Sequence, residues 1–95
     1  MKQGYIIARI DVHDAETYAK YTAQSPIVAA QFGGEFIVRG GQCEQAEGAG
    51  RARQVVIRFP SYARAVEFYQ SPEYQAILPL ALAGSNRELV IVEGA

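Results

Sequence analysis

Apolar residues recur at every second position in four short segments of this chain. In two longer stretches they recur at every third or fourth position, and the order of these rhythms admits few folds. Gly4 to Val12, Glu35 to Arg39, Gln54 to Phe59 and Glu88 to Glu93 carry the two-residue rhythm. Strand side chains point to opposite faces in turn, so this rhythm marks strands. Between the first and second strands, Tyr18, Tyr21, Ser25, Val28, Ala29 and Phe32 lie on one helical face. Asp14 is placed to cap that helix, with Glu16 in its first turn, where the helix dipole favours an anion. The spacing predicts one helix kinked near Pro26 and closed by Gly33-Gly34. Gly40 to Ala52 reads as a loop, and Pro60 ends the third strand. Ser61 then caps a second helix, with Tyr62, Ala65, Val66 and Tyr69 inward. Ser71-Pro72-Glu73 opens a further helical piece to about Ala83, with a break expected at Pro79.

The resulting order, β-α-β-β-α-β, with right-handed crossovers, is that of a ferredoxin-like α+β sandwich. It predicts a four-stranded antiparallel sheet in the order 4-1-3-2, with both helices on one face. All 95 residues are read as a single domain, 1–95.

Period two also sorts the strands into faces. Ile6, Ala8, Ile10, Phe36, Val38, Val55, Ile57, Phe59, Leu89 and Ile91 form an apolar set that belongs under the helices. The opposite set holds Tyr5, Ile7, Ile37, Val56, Val90 and Val92, together with Arg9, Asp11, Arg39 and Arg58. A solvated sheet face does not carry so many apolar groups, so something covers it. A second copy of the chain is the simplest cover, giving a homodimer through the open sheet face and a dimeric α/β barrel.

Covered arginines need partners. Arg9 and Arg39, near the carboxyl ends of parallel strands with one strand between them, should have backbones about 10 Å apart. Asp11, Glu35, Glu44 and Glu93 could pair with them; otherwise a small organic anion fills that role. Gly40-Gly41 suits either reading, as a tight strand exit or as backbone open to an anion. Tyr18, Tyr21, Tyr69 and Tyr74 are core residues by spacing whose hydroxyls need partners, and a ligand can be one of them. Ser71 caps its helix next to these tyrosines and has a hydroxyl that can turn towards the same cavity. His13, the only histidine, sits at a strand-to-helix turn and is the one candidate general base. Cys43 and His13 do not make a metal site, and no phosphate loop, nucleophile elbow or paired-carboxylate motif is present. No cofactor and no metal is expected.

The formal net charge of −1 gives no electrostatic reason to expect nucleic acid or an acidic membrane surface as partner. The stretch MKQGYIIARID has its apolar run broken by Arg9 and Asp11, and fits neither a signal peptide nor a membrane span. With a single cysteine and hence no internal disulfide, a cytoplasmic location is expected.

Several segments together resemble a known family. They are YIIARIDV, the Tyr18–Tyr21 helix, FGGEFIVRGG, Glu47-Gly48, VVIRFPS, FYQSPEYQ and LVIVEG. The chain is similar to the small bacterial proteins of the domain-of-unknown-function family thirteen-thirty, in the dimeric α/β-barrel superfamily. That resemblance implies the ferredoxin-like fold and sheet-to-sheet dimerisation. It brings no established reaction: the superfamily includes cofactor-independent monooxygenases, muconolactone-isomerase-like enzymes, haem-binding proteins and non-catalytic members. Three positions depart from the family pattern. Ala49-Gly50-Arg51 replaces a usual tryptophan region, Ile57-Arg58-Phe59 replaces Ile-Glu-Phe, and Ala81 stands where an arginine is frequent. The expected function is binding of a small organic anion in a sheet-lined cavity through Arg39 and Arg9. Cofactor-independent oxygenase or isomerase chemistry is one extension of this, and a non-catalytic dimeric ligand-sensing or stress-response module is the alternative.

Overall fold

The computed structural model describes residues 2–95. Its elements run β1 (Gly4–Val12), α1 (Ala15–Thr22), α2 (Ser25–Gln31), β2 (Glu35–Arg39), β3 (Arg53–Phe59), α3 (Tyr62–Gln70), α4 (Pro72–Gly84) and β4 (Ser85–Glu93). The sheet order is β2-β3-β1-β4 with every neighbouring pair antiparallel, the expected 4-1-3-2 read from the other edge. This is a ferredoxin-like α+β fold. The helices cover one face of the sheet, and the molecule is only 17 Å thick along its shortest axis. No helix among the described residues is long and apolar enough to cross a membrane.

The core lies where the alternation places it. Ile6, Ala8, Ile10, Val55, Ile57 and Phe59 point under the helices and are buried against Tyr18, Tyr21, Phe68, Tyr74 and Ile77. Each large apolar side chain removed from water there contributes about 1.5–3 kcal/mol. Aromatic rings fill the centre: Phe68 stands 4.6 Å from Tyr74 and 5.2 Å from Phe59, centroid to centroid.

Three helix caps form as their sequence signals require. The Asp14, Ser61 and Ser71 side chains accept the backbone N–H groups of Thr17, Arg64 and Tyr74. The single kinked helix does not form. The chain breaks at Ala23-Gln24 into α1 and α2, because Pro26 has no N–H to offer the Thr22 carbonyl. The apolar face nevertheless stays in phase across the break, with Tyr18, Tyr21, Ser25, Val28 and Ala29 all buried. At the other end of α2, Gly34 N–H bonds to Ala29 O and Gly33 N–H to Ala30 O, a Schellman closure that needs the positive φ of Gly33 (79°).

Pro79 does not break α4, which runs through it for 13 residues. The fourth strand begins at Ser85, three residues before Glu88, with no loop after Gly84. The Gly84 carbonyl accepts both the His13 and Asp14 N–H groups, and a Cβ on Gly84 would come within 3.0 Å of the Tyr18 nitrogen. This close approach fixes the carboxyl end of α4 against the start of α1.

One sheet irregularity matters for function. β2 pairs Phe36 with Ile57, but Val38 with Val56 and Arg39 with Val55, so a bulge lies between Phe36 and Val38. An extra residue reverses the parity of everything after it. Val38 therefore turns to the open face, and Arg39 turns to the helix side.

Candidate functional site

The bulge sends Arg39 to the mouth of a cleft between the sheet and the helices. Ile6, Ala8 and Ile10 of β1 and Val55 and Ile57 of β3 form its floor, and Thr22, Ser25 and Pro26, around the α1–α2 break, form one wall. The cavity has a volume of about 30 Å³ and opens to solvent at its mouth. Three guanidinium groups meet there: Arg39 from β2, Arg53 from β3 and Arg87 from β4. Arg53 and Arg87 both pair in register with Ile10, from the two sides of β1. Gly40 leaves β2 with φ 69°, and a Cβ there would come within 2.7 Å of Arg53 Nη1. The glycine thus leaves room for the Arg53 side chain.

Arg87 reaches deepest. Its Nη2 donates to the Tyr74 hydroxyl at 2.8 Å and its Nη1 to the Tyr21 hydroxyl at 3.4 Å, while the two hydroxyls share a bond of 2.8 Å. Its Cζ also lies 5.1 Å from the Tyr21 ring centre, within cation–π range. Burial pushes the Tyr74 phenol above its ordinary value; the neighbouring Tyr21 adds to this and Arg87 opposes it. Tyr18 is raised too, again chiefly by burial and against the pull of Arg87. The Tyr18 and Tyr74 phenols therefore stay protonated at neutral pH.

No carboxylate balances that charge. The ion pairs among the described residues are Arg51 with Asp11 and Glu88, Arg58 with Glu35, and Arg64 with Glu67. Arg39, Arg53 and Arg87 are in none of them, and the buried Nε of Arg53 has no hydrogen-bond partner. The cleft lining holds no carboxylate, imidazole or thiol. No group of three metal-ligating side chains occurs among the described residues.

Of the residues singled out from the sequence, Arg39, Tyr18, Tyr21 and Tyr74 come together in this cleft. Arg9 does not join them. It stays on the open face, bonded to Gln45 of the Gly40–Ala52 loop at 3.3 Å. The pairing of Arg9 with Arg39 in one cavity is thus corrected by the bulge, which puts them on opposite sides of the sheet. Tyr69 stacks at 5.3 Å on Tyr74 but does not line the cleft. The Ser71 hydroxyl is used at the α3–α4 junction, donating to Phe68 O at 2.7 Å and accepting the Tyr74 N–H at 3.1 Å. His13 is exposed at the β1–α1 turn and away from the cleft lining.

Arg53 and Arg87 were missed by the sequence reading, although a signal for both exists. Each stands two residues before an inward-facing apolar residue, Val55 and Leu89. The strands simply begin earlier than their apolar cores suggest.

The sequence matches the family model described as Domain of unknown function (DUF1330) over residues 3–95. The chain belongs to the DUF1330 family. No protein of curated function matches it. Among solved structures, the DUF1330 chain is similar to a protein of unknown function from Rhodopseudomonas palustris, with TM-score 0.80 and 18% identity, covering 99% of this chain and 83% of that one. It is also similar to SnoaB, a cofactor-independent oxygenase from Streptomyces nogalater, with TM-score 0.66 and 14% identity over 97% and 92% of the two chains. A DABB (dimeric α/β-barrel) family protein with a ferredoxin-like fold from Mesorhizobium loti gives TM-score 0.68 and 10% identity over 100% and 97%. At these identities the fold is what is shared.

Proposed function

We propose that this DUF1330 protein binds a small organic acid in the helix-side cleft and works as a homodimer joined through the open face of its sheet. One observation carries the binding reading: three guanidinium groups converge on an apolar cleft with no carboxylate among them. Leaving such charges together costs free energy that an anionic ligand returns. The apolar floor suits the carbon skeleton of the acid, and the rim arginines suit its charged end. A planar carboxylate can take two parallel N–H groups from one guanidinium.

As for a reaction, the lining offers fixed positive charge and protonated phenols, which stabilise negative charge on oxygen. Cofactor-independent oxygenation or isomerisation through an enolate needs that kind of support. The likeness to SnoaB makes this the reaction class to try first. The absence from the lining of any group that titrates near neutrality favours the second reading, a non-catalytic ligand-sensing module. The exposed, unpaired Cys43 suits a reducing compartment, and we place the protein in the cytoplasm.

Calorimetry with benzoate and its neutral counterpart benzamide tests the binding reading. Benzoate should bind and benzamide should not; Arg53→Met should abolish benzoate binding and Arg9→Met should leave it unchanged. Equal binding of the two probes, or benzoate binding that survives Arg53→Met, would overturn it.

A further inference from the structure

The protons of the inner cleft can be counted. Tyr21 and Tyr74 bring two phenolic O–H groups within hydrogen-bond distance of one another. One proton is used between them, and Arg87 donates to both oxygens. The second phenolic proton finds no acceptor among the described residues. Arg53 Nε, also buried, is a second donor without an acceptor. Both unmet groups are donors, and Arg39, at the mouth, is a further donor with no carboxylate partner. Every charged or titratable group lining the cleft is of this kind: Tyr18 and Tyr21 on α1, Arg39 on β2, Arg53 on β3, Tyr74 on α4 and Arg87 on β4. β1 and α3 contribute only apolar side chains to it.

A neutral hydroxyl entering this space can accept, but it also adds one more donor to a surplus of donors. An oxyanion brings only acceptors, meets fixed positive charge, and does so on an apolar floor where charge is weakly screened. We propose that the cleft takes weak oxygen acids, phenols and enols, and holds them as their oxyanions. This rests on the cleft being an anion site and narrows the ligand class within it. The phenol or enol releases its proton to solvent as it binds, and no bond to carbon is broken. The opposing effect is desolvation, which favours the neutral acid. Three unpaired cations against no anion decide the balance.

4-Nitrophenol is the probe, because its phenolate absorbs in the visible and its phenol does not. It is titrated spectrophotometrically with and without saturating protein. The bound probe should ionise at a pH lower by about 1 unit or more, the effect of an opposite charge close by. Phenolate absorbance should therefore rise on adding protein at a pH just below the free probe's midpoint. Arg53→Met, which removes the anion site, should leave the probe's midpoint where it is without protein, and Arg9→Met, on the opposite face, should preserve the shift. An unchanged or raised midpoint for bound probe overturns the inference and leaves anion binding standing. So does benzoate binding without any binding of 4-nitrophenol. If neither probe binds, the anion-site reading falls too.

Discussion

Arg39 stands at the mouth of the cleft, exposed, with its Cζ 5.4 Å from the Phe36 ring centre and no acidic partner. Truncating it loses an exposed cation–π contact of about 0.5–1 kcal/mol and relieves repulsion from Arg53. Arg39→Ala should therefore shift the urea-unfolding free energy by less than about 1 kcal/mol. A loss of about 3–5 kcal/mol would mean a buried ion pair instead. Arg39→Lys should weaken benzoate binding although the charge is kept, because an ammonium cannot present two parallel N–H groups. Strict alternation put this arginine on the open face, and one extra residue at the bulge moved it. Nothing local in Phe36-Ile37-Val38 announces that residue. Bulges favour sheet edges, and β2 lies on an edge. The tyrosines were legible from helical spacing, which no bulge disturbs.

Elements were easiest to read where a side chain closes a helix. Ser71 does this for α4 and also bonds back to α3. Ser71→Ala should cost at least about 1 kcal/mol in chemical denaturation, the usual worth of a cap. A neutral result would mean that another group takes over the Tyr74 N–H. Continuity of helices was harder to read. Pro26 and Pro79 look alike in sequence, yet one separates α1 from α2 and the other sits within α4. At Pro79 the packing of Ile77 and Ala81 into the core holds the helix through the missing bond.

The Gly40–Ala52 loop, structureless by composition, is tied down by Asp11. That carboxylate accepts the Ala52 N–H at 2.9 Å and pairs with Arg51 at 3.0 Å. The Ala52 bond, helped by the Arg51 contact, holds the Asp11 carboxyl below its ordinary value, against an opposing effect of burial second only to the Ala52 bond. A depressed folded value means that the tether is fully present above the ordinary carboxylate range and is lost as pH falls through the folded value. The protection factor of the Ala52 amide, its exchange rate relative to that of an unstructured chain at the same pH, should therefore fall on acidification, before β1 and β3 open. In Asp11→Asn that protection should be low and should not change with pH. Loop protection that does not change with pH would remove Asp11 as the tether.

For the whole molecule, the bare face of the sheet is the outstanding feature. Ile37, Val38 and Val90 are 42%, 41% and 51% exposed, and Tyr5, Ile7, Val56 and Val92 are half-buried beside them. The bulge enlarges this patch by turning Val38 outward. The arginines that might have kept it wet are drawn off: Arg58 pairs with Glu35, Arg9 is held by Gln45, and Arg39 has left for the other side. What stays uncovered is an apolar strip across all four strands, which a monomer in water does not favour. A second copy placed on it by a two-fold axis meets the same surface, so apolar groups face apolar groups. A specific interface of this sort buries on the order of 1,200–2,000 Å² in total. Val56, on β3 and half-buried within the strip, is the position to probe, since a carboxylate there would stand unpaired between two sheets. Val56→Glu should convert the dimer to a monomer in sedimentation velocity at micromolar concentration. Its far-ultraviolet circular dichroism should stay native, because Val56 points away from the helices. The unaltered protein should sediment as a dimer over the same range. A folded, unaltered monomer would show that the strip tolerates water. A Val56→Glu variant that stays dimeric would show that the copies meet through another surface.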